Sequence, residues 1–359
     1  MEVENDKSQN KKLLRNLLIA ALSSFSVIAV ILVFSKSGNV VKSIKDFPPM
    51  EILIGFILFC LIFVIDSLRI LVLSYFLNEK VKLSVAMRNS ILGYFFTYIT
   101  PFSAGGQPYQ IWHLSKWGMS AENSSAIILT RWSNMLIFLS FSSLLLMNKY
   151  LPYIRVGIPL LSKAIWLVIL LSVAFSLGMV FFFLVPNLGK SFIRKIRKSK
   201  MVNWAIRVFK KNPDEVFDTL LKKLDSFYDS MKIIWTKKPW LVIFDGSMGV
   251  LDLLVLYYIL YRSIIISSQV SLVPFHLSFW NLSAIFILLS FVVYYVPTPG
   301  SSGGVEGGFY AVLSIYGSKT AVMTGVLMWR LITYYLPILL GFIIMIYEVR
   351  QNPTKSASS

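Results

Sequence analysis

Long apolar runs separated by short polar stretches set the pattern of this chain from end to end. They fall at about 13–34, 51–77, 123–147, 164–185, 239–262 and 318–346. Each reaches the roughly 20 residues that a helix needs to cross a bilayer core. The runs do not alternate polar with apolar, and backbone in lipid must satisfy its own hydrogen bonds. The pattern therefore predicts helical spans and not barrel strands. Leu17–Phe34 follows Lys11, Lys12 and Arg15, which resembles the start of a signal peptide. It lacks a small-x-small cleavage site and is longer than a usual signal core, so it is expected to stay as the first span.

Two further apolar stretches, about 85–118 and 278–317, are each broken near the middle. Residues 100–106 read Thr-Pro-Phe-Ser-Ala-Gly-Gly, and residues 298–304 read Thr-Pro-Gly-Ser-Ser-Gly-Gly. Each phrase is followed by a polar residue and then by an arginine inside the next apolar run. Gln107 to Arg131 spans 24 residues, and so does Glu306 to Arg330. Helix-breaking residues at corresponding places in two halves of a membrane chain are the best sequence pointer to a transport site.

Composition agrees with a membrane chain: of 359 residues, 56% are hydrophobic and only 14% charged. The net charge of +18 would suggest nucleic acid in a soluble protein. Here the charge lies between the spans, where it sets orientation and attracts anionic headgroups, so no nucleic-acid partner is expected. The segment 186–238 carries 14 Lys and Arg against five acids, which makes it cytoplasmic by the positive-inside rule. Threading the chain from a cytoplasmic N-terminus puts 24 Lys and Arg inside, eight outside and three within the membrane. The broken stretches then enter from opposite faces. The expected fold is an all-α polytopic membrane protein with two inverted-topology repeats, each with a broken, re-entrant-like helical hairpin. The divisions are a first membrane repeat at 1–185, a basic connector at 186–238, a second repeat at 239–349 and a disordered tail at 350–359. Both termini are expected in the cytoplasm and the chain in the cytoplasmic (inner) membrane. Val216, Leu220, Leu221, Leu224 and Phe227 in the connector fit either an amphipathic helix on the membrane surface or a solvated loop with local helix.

The breaks are the first candidates for function. Proline removes a donor, and paired glycines open backbone shapes closed to other residues. Unwound backbone at membrane depth survives only against protein or a wet cavity, and flanking half-helices aim N–H groups at it. Thr100, Pro101, Ser103, Gly105, Gly106 and Gln107 form one candidate tip; Thr298, Pro299, Ser301, Ser302, Gly303, Gly304 and Glu306 form the other. Arg131, with Asn134 on its face, and Arg330, with Thr333 and Tyr334, lie well inside apolar runs. A charge at the bilayer centre costs at least ~2.5 kcal/mol, so such residues face a cavity or a partner. Asp66 and Arg69 sit at i and i+3 and can pair; Asp245 and Asp252 share a face. Glu306 is an obvious mate for Arg330. The single cysteine, Cys60, is read as a small buried hydrophobe. His113 and His276 lack companions at ligand spacing, so neither a metal nor a cofactor is expected. There is no Walker loop, nucleophile elbow or Rossmann fingerprint.

The segment Thr100–Ile111, followed by Lys116-Trp117-Gly118, and the second signature Pro299–Gly307 resemble the lysylphosphatidylglycerol synthetase transmembrane-region family, also called the flippase-like domain family. The resemblance covers nearly the whole chain. It implies an integral membrane fold whose best understood relatives move aminoacylated phosphatidylglycerol between leaflets and carry a C-terminal soluble domain that makes the lipid. The present chain ends about ten residues after its last span, so a stand-alone member lacking the synthetase domain is expected. The expected function is a lipid translocase for a phospholipid or another lipid-linked anion, with Arg131 and Arg330 neutralising the phosphate between the tips. A membrane-embedded lipid-modifying transferase, or a lipid-presenting partner of a separate enzyme, is the alternative. Expected partners are membrane lipids, above all anionic phospholipid; a separate lipid-synthesising enzyme or a second copy of the chain is compatible with the sequence.

Overall fold

The computed structural model describes residues 38–157, 159–208, 212–293 and 298–350. The expected first span at 13–34 and the tail after residue 350 lie outside the described residues. No strand occurs among the described residues.

Five described helices are long and apolar enough to cross a membrane. These are α2 (Pro49–Phe76), α5 (Ala121–Gly157), α6 (Pro159–Leu184), α10 (Trp240–Val270), and the last span built from α13 (Lys319–Arg330) and α14 (Leu336–Arg350). They coincide with five of the six unbroken apolar runs. The protein is thus an all-α polytopic membrane protein. Between α13 and α14 the helix widens into a π turn at Leu331–Tyr335, directly after Arg330. Such bulges inside helices concentrate at functional sites.

The two broken stretches are helical hairpins. The first joins α3 (Leu83–Ile99) to α4 (Gly106–Lys116); the second joins α11 (Phe279–Val293) to α12 (Gly304–Leu313). At 1.5 Å per residue, the 11 residues of α4 span about 16 Å, roughly half of a bilayer core. The 10 residues of α12 reach no farther. The second arm of each hairpin is therefore too short to cross.

The tips share one backbone path over their first four residues and diverge after it, Gly105 lying at φ −83° and Gly303 at φ 90°. Thr100 (φ −106°, ψ 146°) and Thr298 (φ −107°, ψ 156°) are extended and end the first arm. Proline then opens a tight turn whose middle residue is left-handed in both copies: Phe102 at φ 55° and Gly300 at φ 55°. Ser103 and Ser301 follow at φ 55° and 53°. The two turns pack against one another, and the Tyr334 hydroxyl lies 3.3 Å from the Pro299 carbonyl and 3.4 Å from the Tyr98 carbonyl.

Beneath the tips, Phe59, Phe63, Tyr257, Phe286, Phe309 and Trp329 form the centre of one apolar core. A second core holds Leu73, Ile127 and Leu241 against Phe227 and Met231 of α9 (Pro213–Lys232). Among its described residues the connector holds three α-helices, α7 (Pro186–Arg197), α8 (Lys200–Val208) and α9. Its last helix docks on the protein through Phe217, Phe227, Tyr228 and Met231, while Leu220 stays exposed. One element has no counterpart in the apolar pattern: α1 (Gly38–Lys45), an eight-residue helix. Val40 and the following Phe47 pack on Met323 and Leu327, and so short a segment leaves no periodicity to read.

Candidate functional site

Where the tips meet, a cavity of about 650 Å³ opens between the hairpins and the spans. Ser103, Ala104 and Phe102 of the first tip and Gly300 of the second face it, with Gln107 at the start of α4. Leu129, Trp132 and Leu136 of α5 and Leu256 of α10 form an apolar wall. Thr97, Tyr98, Trp329, Arg330 and Thr333 complete it. The first tip is open to this space, Phe102 being 60% exposed, whereas Pro299, Gly300, Ser301 and Ser302 are buried. The lining is mostly aromatic and aliphatic with a small set of polar groups, the composition of a site for an amphiphile.

Arg330 is the cation of that wall. It is 4% exposed, its Nε donates to Glu306 Oε1 at 2.6 Å, and its Nη2 donates to the Gly300 carbonyl at 3.2 Å. The same Nη2 lies 3.4 Å from Ser302 Oγ, and the guanidinium lies 4.1 Å from the centre of the Tyr334 ring. Glu306 is buried, and its other oxygen accepts from the Gly303 N–H at 2.7 Å. A carboxylate therefore occupies the start of α12, where the helix dipole and an arginine both favour an anion. The pairing of Glu306 with Arg330 is the one the sequence suggested.

The first tip is held differently. Thr100 Oγ1 accepts from the Gly105 N–H at 2.9 Å and donates to the Phe96 carbonyl at 2.7 Å, so it closes the end of α3. Gly106 packs directly on α3: a Cβ there would come within 2.0 Å of Thr97 Oγ1. In the second tip Thr298 Oγ1 donates to the Ser302 carbonyl at 2.7 Å. Thr100, Gly105, Gly106, Thr298, Pro299, Gly303 and Gly304 shape the tips without lining the cavity. Ser103, Gln107 and Arg330 line it.

Arg131 does not face the cavity. It belongs to a buried ionic cluster one layer behind the wall, with Asn134, Asp66, Arg69, Asp245 and Asp252. Arg131 Nη2 donates to Asp66. Arg69 donates through Nε and Nη2 to the two oxygens of Asp245 at 2.8 and 3.1 Å, and through Nη1 to Asp252 at 3.1 Å. Asn134 Nδ2 donates to Asp245 at 2.7 Å. The expected pair of Asp66 with Arg69 survives only as a 3.6 Å contact. Each finds a closer partner on another helix, because neighbours on one helix point outward in parallel while the facing helices point inward. Asp245 and Asp252 do share a face, and both reach Arg69.

Tyr98, Trp132, Leu256 and Trp329 line the cavity without belonging to either repeated phrase. One signal was available: an indole adjoins each repeated arginine, in Arg131-Trp132 and Trp329-Arg330. On a helix adjacent residues diverge by about 100°, so a buried arginine and a cavity-facing tryptophan can sit side by side.

The profile of the lysylphosphatidylglycerol synthase TM region matches residues 17–341. The chain belongs to this family. It is also similar to a UPF0104 membrane protein of Methanocaldococcus jannaschii, 27% identical over 358 residues that cover 94% of this chain and 96% of that protein. A UPF0104 membrane protein of Archaeoglobus fulgidus is 25% identical over 335 residues, covering 92% and 97%.

Proposed function

We propose that the protein is a lipid translocase that moves a phospholipid, or another lipid-linked anion, across the cytoplasmic membrane. One observation carries the reading: a cavity walled by apolar and aromatic side chains presents a single buried guanidinium, Arg330, which already holds the carboxylate of Glu306. Those are complementary to the two halves of an amphiphilic anion. The family match supports a lipid-related membrane role.

In this reading Glu306 is a resident counterion. It holds Arg330 Nε and the α12 N-terminus while no substrate is bound, and a headgroup phosphate competes with it for the guanidinium. The exchange keeps the guanidinium paired throughout, and the displaced Glu306, buried as it is, takes up a proton or turns to another donor so that its charge is not orphaned. Ser103 and Gln107 of the first tip face the same space and supply neutral hydrogen-bonding partners to the headgroup. Acyl chains remain in the bilayer, against Trp132, Leu136 and Leu256. Inverted repeats fit the matching tips and give the site access from alternate faces by rocking of one repeat on the other.

Reconstitution tests the reading. Purified protein in liposomes should raise the transbilayer movement of fluorescent phosphatidylglycerol, followed by quenching of the outer leaflet. Arg330→Lys keeps the charge but loses the fork, and should slow movement about tenfold or more while the protein still folds. Wild-type protein that moves neither this probe nor a fluorescent phosphatidylethanolamine would sink the proposal.

A further inference from the structure

Behind the cavity wall the described residues hold three carboxylates, Asp66, Asp245 and Asp252, against two guanidiniums, Arg69 and Arg131. All five are at least nine-tenths buried, on helices that cross the membrane. The hydrogen bonds show which carboxylate is in excess. Asp245 has both oxygens on Arg69, with Asn134 adding a third donor. Asp66 has Arg131. Asp252 shares Arg69 through one oxygen only; its Oδ1 is buried and meets no donor.

An uncompensated carboxylate at membrane depth is costly, and buried carboxylates in spans mark proton paths. One positive charge balances the cluster. We propose that Asp252 is a proton-binding site, and that its loading and release couple the ionic cluster to the neighbouring cavity. The step is a simple protonation: a proton from water adds to Oδ1 of the carboxylate, giving a neutral acid that keeps its Oδ2 contact to Arg69.

Every element around Asp252 fits a single-proton site. From α2 it faces Arg69 and from α5 Arg131; Asp66 and Asn134 join the cluster through Arg131 and Asp245, and Tyr94 of α3 adds a phenol near Arg69. Its own helix adds Asp245. α11 has no titratable residue, and on α13 Arg330 is bound to Glu306 while Lys319 lies at the far end. The π turn before α10 offers only the exposed Lys237.

The cluster also has a second arrangement within reach. Arg131 Nε and Nη1 are buried without a partner, as Asp252 Oδ1 is. An ionised Asp252 attracts that guanidinium; a protonated one releases it to Asp66. Arg131 lies between the cavity-lining Leu129 and Trp132, and Asp252 lies one helical turn from Leu256. A shift of Arg131 therefore moves the cavity wall. The coupling half of this proposal rests on the translocase reading; the proton site does not.

Infrared difference spectra of the full chain in lipid nanodiscs, labelled with carbon-13 aspartate and titrated with acid, test the site directly. Over the bands of the exposed aspartates that every variant shares, a protonated-carboxyl component should appear on acidification that is absent in Asp252→Asn and shifted in Asp252→Glu. Wild type and Asp252→Asn gaining the same bands overturns the site. So does a sodium-dependent rise in Tm without such a band, which would put a metal cation in place of the proton. For coupling, movement of fluorescent phosphatidylglycerol in liposomes should change several-fold when an imposed pH gradient is reversed, and Asp252→Asn should lose that response. Equal wild-type rates under both gradients overturn the coupling. Wild-type protein that moves no probe under either gradient counts against the translocase reading, and the infrared band then decides the proton site by itself.

Discussion

Arg69 is the hub of the buried charges, with a bidentate bond to Asp245 and a third contact to Asp252. Removing one member of a buried ion pair leaves a charge with no partner, at a cost of about 3–5 kcal/mol. Arg69→Met should therefore lower stability in detergent by that order, read as a fall in the unfolding midpoint. Gly249 packs against the Arg69 guanidinium, with room for a Cβ at 3.2 Å from Nη2 only if that group shifts. Arg330 belongs to a different setting, because its guanidinium faces a cavity. Arg330→Lys is expected to fail in lipid movement with little loss of stability, whereas Arg69→Met fails through the fold. The two arginines that recur at equal spacing in the sequence, Arg131 and Arg330, also differ: one lies in the cluster and one on the wall. Spacing along the chain placed both inside spans but carries no record of which way each helix is turned.

At the scale of elements, the tips invite a comparison that the repeat itself sets up. Phe102 and Gly300 occupy the same left-handed position at φ 55°. A non-glycine residue there carries about 1–2 kcal/mol of strain. The first tip holds its phenylalanine in the open, but at Gly300 a Cβ would stand 2.1 Å from Tyr334 Cε2. Gly300→Ala should thus cost more than strain alone, displacing Tyr334 from the ring contact with Arg330 and slowing lipid movement. Phe102→Gly should be neutral or slightly stabilising. Unfolding midpoints of the two variants, measured side by side, check the contrast; equal losses would refute it. The Thr-Pro…Gly-Gly phrase announced both turns because proline and glycine act locally. It did not show that one tip is buried and the other open, since that depends on what the π turn at Leu331–Tyr335 brings against it.

For the whole molecule, orientation is the open prediction. By the positive-inside rule, the basic connector and the excess of Lys and Arg on one side predict that residues near Ser199 lie in the cytoplasm and the loop after α10 outside. Leu272, 91% exposed in that loop, is a better reporter than the buried Ser268 beside it. In a Cys60→Ala background, Ser199→Cys should react with an impermeant thiol reagent only from inside and Leu272→Cys only from outside. Labelling of both from one face would refute the inverted arrangement. The sequence by itself determined the helical membrane class, five described spans, two hairpin breaks and the residues that cannot be exposed to lipid. These follow from run length, from proline and glycine, and from the cost of charge in hydrocarbon, all local properties of the chain. Only the tertiary structure decided that the two tips touch, that Arg330 lines a cavity while Arg131 turns to Asp66, and that Asp252 is the carboxylate left over. Those outcomes depend on the rotation of each helix about its own axis and on which helices become neighbours. Contacts between residues from 65 to 236 positions apart settle both, and an apolar run with no strong amphipathic face leaves its rotation unwritten.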